Sequence, residues 1–229
     1  MRDHPRALML FAAGFGTRMG DLTRDRPKPL IPVAGSPLID HALEQIDALM
    51  LDRVVVNLHY CGDQIRDHLR DRPDIAFSHE HPDILETGGG LRQALPLLGV
   101  DPVYTFNTDA VWAGPNPLTL LRDAWDPATM DALVLLVPLD QTVGHTGTGD
   151  FLIDPAGRLT RGKGPVYAGA QILKTDRLSD IAETKFSLNT VWNQMIADRT
   201  LFGLIYPGHW ADVGRPDGIA LAEAMRAHV

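Results

Sequence analysis

The sequence contains little cysteine, little lysine and an excess of acidic residues. Cys61 is the only cysteine among 229 residues, which excludes an internal disulfide and a thiolate metal cluster. The chain has four lysines, and its formal net charge is −8. A nucleic-acid site or an anionic-membrane site would need a basic face, so we expect neither partner. Any anionic ligand must then be bound by a few cations that lie close together.

Long apolar runs are also absent. No stretch approaches the roughly 18 apolar residues of a membrane-spanning helix, and the segment from Met1 to Pro5 lacks the apolar core of a signal peptide. We therefore expect a cytoplasmic protein. We also expect a monomer or a weak homo-oligomer. With 229 residues, of which 45% are hydrophobic, the chain is predicted to form one domain over residues 1–229.

Short apolar segments alternate with helical patterns, which is typical of an α/β fold with a mostly parallel sheet. The predicted strands include residues 8–11, 54–58, 75–78 and 103–109. Ser36 and Pro37 indicate the start of a helix, since serine is a good N-cap and proline suits the first helical position. The glycine-rich segment 143–160 contains a Pro-Ala-Gly turn and predicts a β-hairpin insertion, which is a common place for substrate contacts.

The stretch from Leu8 to Pro32 predicts a buried strand followed by a phosphate-binding loop. Gly14 and Gly16 allow backbone N–H groups to approach an anion closely, because no Cβ stands in the way. Arg18 offers a planar guanidinium, and Lys28 lies between two prolines that restrict its backbone. The glycine spacing does not match the dinucleotide fingerprint G-x-G-x-x-G, and no Gly-Lys-Ser/Thr of a Walker motif follows. The alternative is a loop in which the glycines only turn the chain.

Three further places combine glycines or carboxylates with predicted element ends. Asp109 ends a predicted strand, where open α/β sheets bind ligands, but an aspartate there can also be a cap or turn residue. Asp150, in the glycine-rich insertion, is likewise either a ligand contact or a turn residue. Thr87 precedes three glycines at a predicted helix start, which indicates that another group approaches the backbone closely. A flat nucleobase is one candidate for that group.

The motif A-A-G-x-G-T-R-M at residues 12–19, followed by P-K-P-L at residues 27–30, resembles the signature of the sugar-phosphate nucleotidyltransferases. These enzymes make nucleotide sugars from a nucleoside triphosphate and a sugar 1-phosphate. The resemblance covers essentially the whole chain and implies a three-layer Rossmann-like nucleotidyltransferase fold. It implies that Arg18 and Lys28 are catalytic. The nucleotide-binding residues that it implies are Ala13, Gly14, Gly16, Thr17, Arg18, Lys28, Thr87, Gly88 and Asn107.

The resemblance also implies a Mg²⁺ ion and an acceptor site. Asp109 matches one metal-binding element of the family, and Asp212, in Trp-x-Asp-x-Gly, resembles the second. Mg²⁺ prefers oxygen ligands and usually takes one or two protein carboxylates. The implied sugar-phosphate contacts are Gly149, Asp150 and Gly169. Lys163 is a weaker candidate for a phosphate contact.

Three elements, Leu-Glu-Thr-Gly-Gly-Gly, Gly-Asp-Phe and Gly-His-Trp-x-Asp-Val-Gly, are most similar to the uridylyltransferases of peptidoglycan recycling. That similarity implies UTP and N-acetylmuramic acid 1-phosphate as substrates. The alternatives are another base, another acceptor such as a hexose or heptose 1-phosphate or phosphocholine, or a non-catalytic nucleotide-sugar-binding regulator. Many relatives add a β-helix domain of hexapeptide repeats, and none is expected here because the sequence has no internal repeat. Asp21 stands where the family often has proline, which adds negative charge beside the loop.

Overall fold

The computed structural model of the protein describes residues 4–99 and 101–227. The helices are α1 (Leu38–Asp47), α2 (Gly62–His68), α3 (Glu86–Leu98), α4 (Pro117–Ala124), α5 (Leu188–Ala197) and α6 (Asp217–Ala227). The strands are β1 (Ala7–Phe11), β2 (Pro32–Val33), β3 (Ser36–Pro37), β4 (Arg53–Leu58), β5 (Ile75–His79), β6 (Val103–Asn107), β7 (Ala110–Ala113), β8 (Ala132–Val137), β9 (Thr142–Val143), β10 (Phe151–Ile153), β11 (Leu159–Arg161), β12 (Val166–Leu173), β13 (Leu201–Ile205) and β14 (His209–Asp212). In the ranges described, no helix is long and apolar enough to cross a membrane.

The largest sheet within the described residues has seven strands in the order β13, β8, β12, β6, β1, β4, β5. Neighbouring strands run parallel, except that β12 is antiparallel to both β6 and β8. The mostly parallel α/β fold predicted from the sequence is therefore confirmed. Because β1, β4 and β6 run in one direction, their carboxyl ends meet at the same edge of the sheet, which is where open α/β sheets bind ligands.

Helices cover both faces of this sheet and make a three-layer arrangement. Apolar residues of α1, α2 and α4, such as Ile39, Ile65 and Leu121, are buried against one face. Residues of α3 and α5 are buried against the other face. Complete burial of each Leu or Ile side chain contributes about 1.5–3 kcal/mol to folding, so both faces stabilise the sheet.

Two smaller β structures complete the site end of the fold. The predicted β-hairpin insertion is present, since β10 and β11 pair antiparallel with Phe151 opposite Arg161. In a second sheet, β14 pairs antiparallel with β7, and this register puts Asp212 opposite Ala110. A third apolar cluster joins α6 to this sheet and to the loop after β1. The pairing therefore brings Asp212 next to the residue that follows Asp109 in the chain.

The predicted helix start at Ser36 and Pro37 is wrong, since α1 begins at Leu38. Ser36 and Pro37 instead form β3, which pairs antiparallel with β2. Ala34 and Gly35 have positive φ angles and close the turn between the two strands. The Leu38 N–H donates to the Ile31 carbonyl at 3.0 Å, so this hairpin satisfies a donor that a serine cap would otherwise take. Pairing with β2 therefore overrides the helix-capping preference of Ser36 and Pro37.

Candidate functional site

Hydrogen bonds to Asn57 and Thr23 fix the conformation of the loop after β1. The Ala12 N–H donates to Asn57 Oδ1 at 2.7 Å, and Thr23 Oγ1 donates to the Gly16 carbonyl at 3.0 Å. Gly16 has a φ of +64°, and an added Cβ there would lie 2.9 Å from the Cβ of Lys28 and from Cγ2 of Thr23. Only glycine fits this position without displacing Lys28. Space around Gly14 is open, since no atom lies within 4 Å of an added Cβ.

Lys28 is the buried cation of the site. It begins a short 3-10 helix, Lys28–Leu30, between Pro27 and Pro29, and only 8% of its surface is exposed. Its Nζ donates to Asp109 Oδ2 at 2.9 Å, so the ammonium is held against a carboxylate at the edge of the sheet. A buried charge of this kind is stable only when it is paired.

Asp109 lies in the bend between β6 and β7, two residues later than the strand end, because β6 ends at Asn107. Thr108 Oγ1 donates to the Phe11 carbonyl at 2.8 Å, which ties this bend to the loop after β1. Burial tends to raise the pKa of Asp109, but the charges of Lys28 and Arg18 outweigh it and hold the pKa below its usual value. Asp109 is therefore an ionised carboxylate.

Asp212 ends β14 beside Asp109, and the Val213 N–H donates to the Asp109 carbonyl at 3.0 Å. Burial and the charge of Asp109 raise the pKa of Asp212, while Lys28 and Arg18 act in the opposite direction. An added Cβ at Gly214 would lie 2.9 Å from Asp212 Oδ1 and 3.2 Å from Arg18 Nη1. The glycine of Trp-x-Asp-x-Gly thus leaves room for a carboxylate and a guanidinium to approach the same spot.

The loop after β1, Lys28, Asp109 and Gly214 line a first cavity of about 300 Å³ at the carboxyl ends of β1, β4 and β6, and Asp212 lies outside its lining. It is lined by Phe11, Ala12, Ala13, Gly14, Gly16, Thr17, Arg18, Lys28, Pro29, Asn57, Glu80, Ile84, Glu86, Thr87, Asn107, Thr108, Asp109 and Gly214. The structure therefore brings the loop residues, Lys28, Thr87, Asn107 and Asp109 together around one space. Their ligand contacts stay predictions.

The carboxylates of Asp109 and Asp212 fit a Mg²⁺ site. Two carboxylates suit an ion that takes most of its other ligands from phosphate and water. The charge of Asp109 raises the pKa of Asp212, and a cation between the two groups would relieve that repulsion. Over residues 4–99 and 101–227, no group of three or more His, Cys, Asp or Glu side chains could hold a metal by itself. An ion bound here would take its other ligands from substrate oxygens or water.

A second cavity of about 220 Å³ opens beside the first and shares Phe11, Thr87 and Asn107 with it. Its other lining residues are Asp150, Phe151, Arg161, Tyr167, Ser187, Leu188, Asn189 and Trp192. They come from the β10–β11 hairpin, from β12 and from the start of α5. The hairpin therefore contributes to this wall, as expected for an insertion that carries ligand contacts.

Asp150 lines the second cavity, but it also stabilises the fold. Its Oδ2 accepts a hydrogen bond from the Tyr167 N–H at 2.9 Å, which ties the start of the hairpin to the start of β12. One carboxylate oxygen is thus engaged by the backbone, as the turn interpretation predicts. Contact of the remaining oxygen with a ligand stays a prediction.

Three glycines with predicted binding roles lie outside the linings of both cavities. The Gly88 N–H donates to the Phe186 carbonyl at 2.9 Å, and an added Cβ would collide with the Phe186 ring. An added Cβ at Gly149 would collide with the Gly164 carbonyl oxygen. At Gly169, where φ is +82°, it would lie 2.8 Å from the Asn107 side chain. Contacts within the protein account for these glycines, and their roles in binding stay predictions.

Lys163 and Asp21 also lie away from the cavities. Lys163 is exposed and lines neither of them. The exposed carboxylate of Asp21 pairs with Arg24, which offsets its charge beside the loop. The structure thus gives neither side chain a place in the cavity walls.

Sequence reasoning missed a buried hydrogen-bond network in the floor of the first cavity. Glu80 is fully buried, and its carboxylate accepts from Asn57 Nδ2 and from the Leu85 N–H, each at 2.7 Å. Asn57 in turn accepts from the Ala12 N–H, so the network joins the loop to the start of α3. The available signal was an asparagine among the valines of β4. Arg161, Tyr167 and Trp192 were missed because only the tertiary fold brings them to one cavity.

Comparison with known proteins agrees with this geometry. The family model described as the MobA-like NTP transferase domain matches residues 8–171. Two relatives are N-acetylmuramate α-1-phosphate uridylyltransferases. The protein from Caulobacter vibrioides is 39% identical over 99% of each chain, and that from Neisseria meningitidis is 32% identical over 95% of this chain and 96% of its own.

A solved structure shows the same fold. HddC from Yersinia pseudotuberculosis, complexed with GMP-PN, superposes with a TM-score of 0.76 at 20% identity, covering 96% of this chain and 98% of its own. Its strand and helix arrangement supports the Rossmann-like interpretation of the sheet. The family match covers the loop after β1, Lys28 and Asp109. The chain therefore belongs to the MobA-like NTP transferase family and is a nucleotidyltransferase.

Proposed function

We propose that the protein joins UTP to N-acetylmuramic acid 1-phosphate with Mg²⁺, forming the nucleotide sugar and releasing pyrophosphate. The observation that carries this proposal is the pair of adjoining cavities, which share Phe11, Thr87 and Asn107. The first has the glycine-rich loop and the cations Arg18 and Lys28, which suit a triphosphate. The second has aromatic and amide side chains, which suit an amide-bearing sugar. The two uridylyltransferase relatives supply the choice of base and acceptor.

In this reaction an oxygen of the acceptor phosphate bonds to the α-phosphorus of the triphosphate. The bond from that phosphorus to the oxygen bridging the α- and β-phosphorus atoms breaks, and its electron pair leaves with pyrophosphate. The attacking phosphate is already anionic, so no general base is needed. The barrier is mainly the repulsion between two anions, and catalysis depends on neutralisation and in-line positioning.

The chain offers residues for each part of this task. The loop amides from Gly14 onward, with Arg18, hold the leaving phosphates. Lys28 neutralises charge at the reacting α-phosphate, and its pairing with Asp109 keeps it at that edge of the sheet. Asp109 and Asp212 would hold Mg²⁺, and the ion would supply positive charge that offsets the charge of the phosphate oxygens.

The proposal is tested by measuring pyrophosphate release for four nucleoside triphosphates against a panel of sugar 1-phosphates and phosphocholine. We expect UTP with N-acetylmuramic acid 1-phosphate to have the highest kcat/KM. A higher value for another pair would contradict the proposed substrates and leave the nucleotidyltransferase assignment intact. Because the reaction consumes UTP, we also propose that the enzyme works in the cytoplasm. We propose further that it is a monomer or a weak homo-oligomer.

Asp150→Ala is expected to lower kcat/KM for the sugar 1-phosphate by about one to two orders of magnitude, as for loss of a hydrogen bond to a charged group. The KM for UTP should stay nearly unchanged, because Asp150 lines only the second cavity. Steady-state kinetics with each substrate varied in turn measures both constants.

Asp150→Asn is the matched control, since its amide oxygen can still accept from the Tyr167 N–H. Thermal unfolding of both variants separates lost binding from a loosened hairpin. If the KM values for the sugar 1-phosphate and for UTP change equally, or if neither changes, Asp150 is only a turn residue.

A further inference from the structure

We propose that Arg161 selects acceptor sugar phosphates that carry a carboxylate, by pairing with that carboxylate in the second cavity. This inference rests on the proposed function, because it assigns the second cavity to the acceptor sugar. It also names the chemical class of the acceptor, a sugar phosphate with a second negative charge on a substituent away from the phosphate. Arg161 is the last residue of β11, lines the second cavity and contacts α5.

The guanidinium of Arg161 is held in place from two sides. Its Nη2 donates to Asn189 Oδ1 at 2.7 Å and to Asn193 Oδ1 at 3.0 Å, and its Nε donates to Asn193 Oδ1 at 3.2 Å. Its central carbon lies 4.7 Å from the centre of the Phe151 ring and 5.7 Å from that of Trp192. A group fixed in this way loses little entropy when it binds a ligand.

One nitrogen of the guanidinium has no hydrogen-bond partner among the described residues. Across residues 4–99 and 101–227, Nη1 donates no hydrogen bond to the protein, and Arg161 makes no salt bridge. Two N–H groups therefore remain for a ligand, on a charged group whose neighbours are amides and aromatic rings. Burial lowers the pKa of Arg161 and the charge of Asp150 raises it, yet a guanidinium stays protonated at neutral pH.

Arg161 is the group in the second cavity that can pair with an anion. Among the described residues that line it, Arg161 is the only cation and Asp150 the only other charged group. Among the described residues Asp150 forms no ion pair with Arg161, and its Oδ2 accepts from the Tyr167 N–H, but its charge still acts on the guanidinium. A neutral sugar could be bound by the amides and rings alone. A fixed, unpaired guanidinium is the group that best fits a carboxylate.

The relation of the two cavities sets the direction of the acceptor. Its phosphate must reach the first cavity, where Lys28 lies, and the shared residues Phe11, Thr87 and Asn107 mark the junction. The sugar ring then extends into the second cavity with its remote substituents toward the walls. N-acetylmuramic acid differs from N-acetylglucosamine by one such substituent, a lactyl ether that ends in a carboxylate. Arg161 is thus positioned to distinguish these two sugars.

The test compares three acceptors with UTP: N-acetylmuramic acid 1-phosphate, the same compound with its lactyl carboxylate converted to an amide, and N-acetylglucosamine 1-phosphate. For the wild type we expect kcat/KM to be about 10- to 100-fold higher for the acid than for either uncharged acceptor. Arg161→Gln should lower the value for the acid by that factor and lower the other two much less. The preference for the acid should then nearly disappear.

Arg199→Gln is the matched control, since Arg199 is an exposed arginine near the turn of the same hairpin and pairs with Asp154 at 3.6 Å. It should keep the wild-type preference. The proposal is overturned if Arg161→Gln lowers all three acceptors equally, or if the wild type uses the amide as well as the acid. The amide comparison needs no variant, so a folding defect does not obscure it.

Failure of the proposed function would look different. If another acceptor is preferred in the panel, the comparison is repeated with glucuronic acid 1-phosphate and glucose 1-phosphate, which differ in one carboxylate. A preference for the carboxylate that is lost in Arg161→Gln supports the role of Arg161 even then. No such preference in either pair overturns it.

Discussion

Asp109→Asn and Asp212→Asn are each expected to lower kcat by about three orders of magnitude, since a bound metal ion contributes several kcal/mol to transition-state stabilisation. The expectation follows from the position of Asp109 beside Asp212: the Val213 N–H donates to the Asp109 carbonyl, Asp212 lies opposite Ala110, and the charge of Asp109 acts on Asp212. Turnover is measured with saturating substrates and titrated Mg²⁺. Full activity of the wild type in excess chelator would contradict the role of both residues.

The two variants should differ in stability, which separates charge effects from general damage. Asp212 has a raised pKa, so at pH values above that pKa its charge destabilises the folded state relative to the unfolded state. Removing its charge should therefore raise the Tm in the presence of chelator. Asp109 has a lowered pKa and pairs with the buried Lys28, so Asp109→Asn should lower the Tm.

Magnesium supplies a second measurement on the same proteins. Together with a nucleoside triphosphate, Mg²⁺ should raise the Tm of the wild type but much less that of either variant. Asp63→Asn is a suitable control, because Asp63 is an exposed aspartate on α2 that makes only a weak 3.7 Å pair with Arg66. Equal Tm changes in Asp109→Asn and Asp212→Asn would show that the charges do not interact as the structure indicates.

Lys28→Ala should lower kcat by about two to three orders of magnitude, similar to the loss of a charge-stabilising donor in other enzymes. The affinity for the nucleoside triphosphate should change by less than about tenfold, because a lysine aimed at the reacting phosphate acts mainly on the charge of the transition state. Steady-state kinetics and calorimetry measure the two quantities. A proportional loss of affinity and turnover would make Lys28 a ground-state anchor.

Lys28→Arg should not restore activity, since a longer, planar guanidinium would not reproduce the position of an ammonium that is buried and paired with Asp109 at 2.9 Å. Lys185→Ala removes an exposed lysine and serves as the control for a loss of positive charge. Burial alone tends to raise the pKa of Asp109, so without Lys28 we also expect that pKa to rise. Binding of the metal should then begin at a higher pH than in the wild type.

The sequence allowed prediction of the fold class and of the residues around the first cavity. Strands such as Leu8 to Phe11 are buried apolar runs, and such runs suit a parallel sheet almost regardless of context. The loop from Gly14 to Arg18 was predictable because glycines let the backbone approach an anion and arginine can pair with one, whatever the rest of the fold. Lys28 was predictable too, since the prolines on either side restrict its backbone in any fold.

Other features depended on contacts between distant parts of the chain. The triple glycine after Thr87 predicted a close approach, and in the structure the approaching groups are the chain at Thr184 and Phe186 and the carboxylate of Glu80. Ser36 and Pro37 had a helix-start pattern, yet pairing with β2 made them a strand. Asp150 had two interpretations, and the structure gives it a backbone partner, Tyr167, without excluding a ligand.

The sequence alone predicted the class of fold and the glycine-rich loop after β1, because periodicity, glycine freedom and proline restriction act over a few residues. Metal-binding roles for Asp109 and Asp212 were implied by the resemblance of their motifs to the nucleotidyltransferases. Only the tertiary structure decided that Lys28 pairs with Asp109, that Glu80 joins the loop to α3, and that Arg161 lines a cavity with α5. These contacts join residues far apart in sequence. They depend on how the strands are ordered across the sheet, which no local pattern specifies.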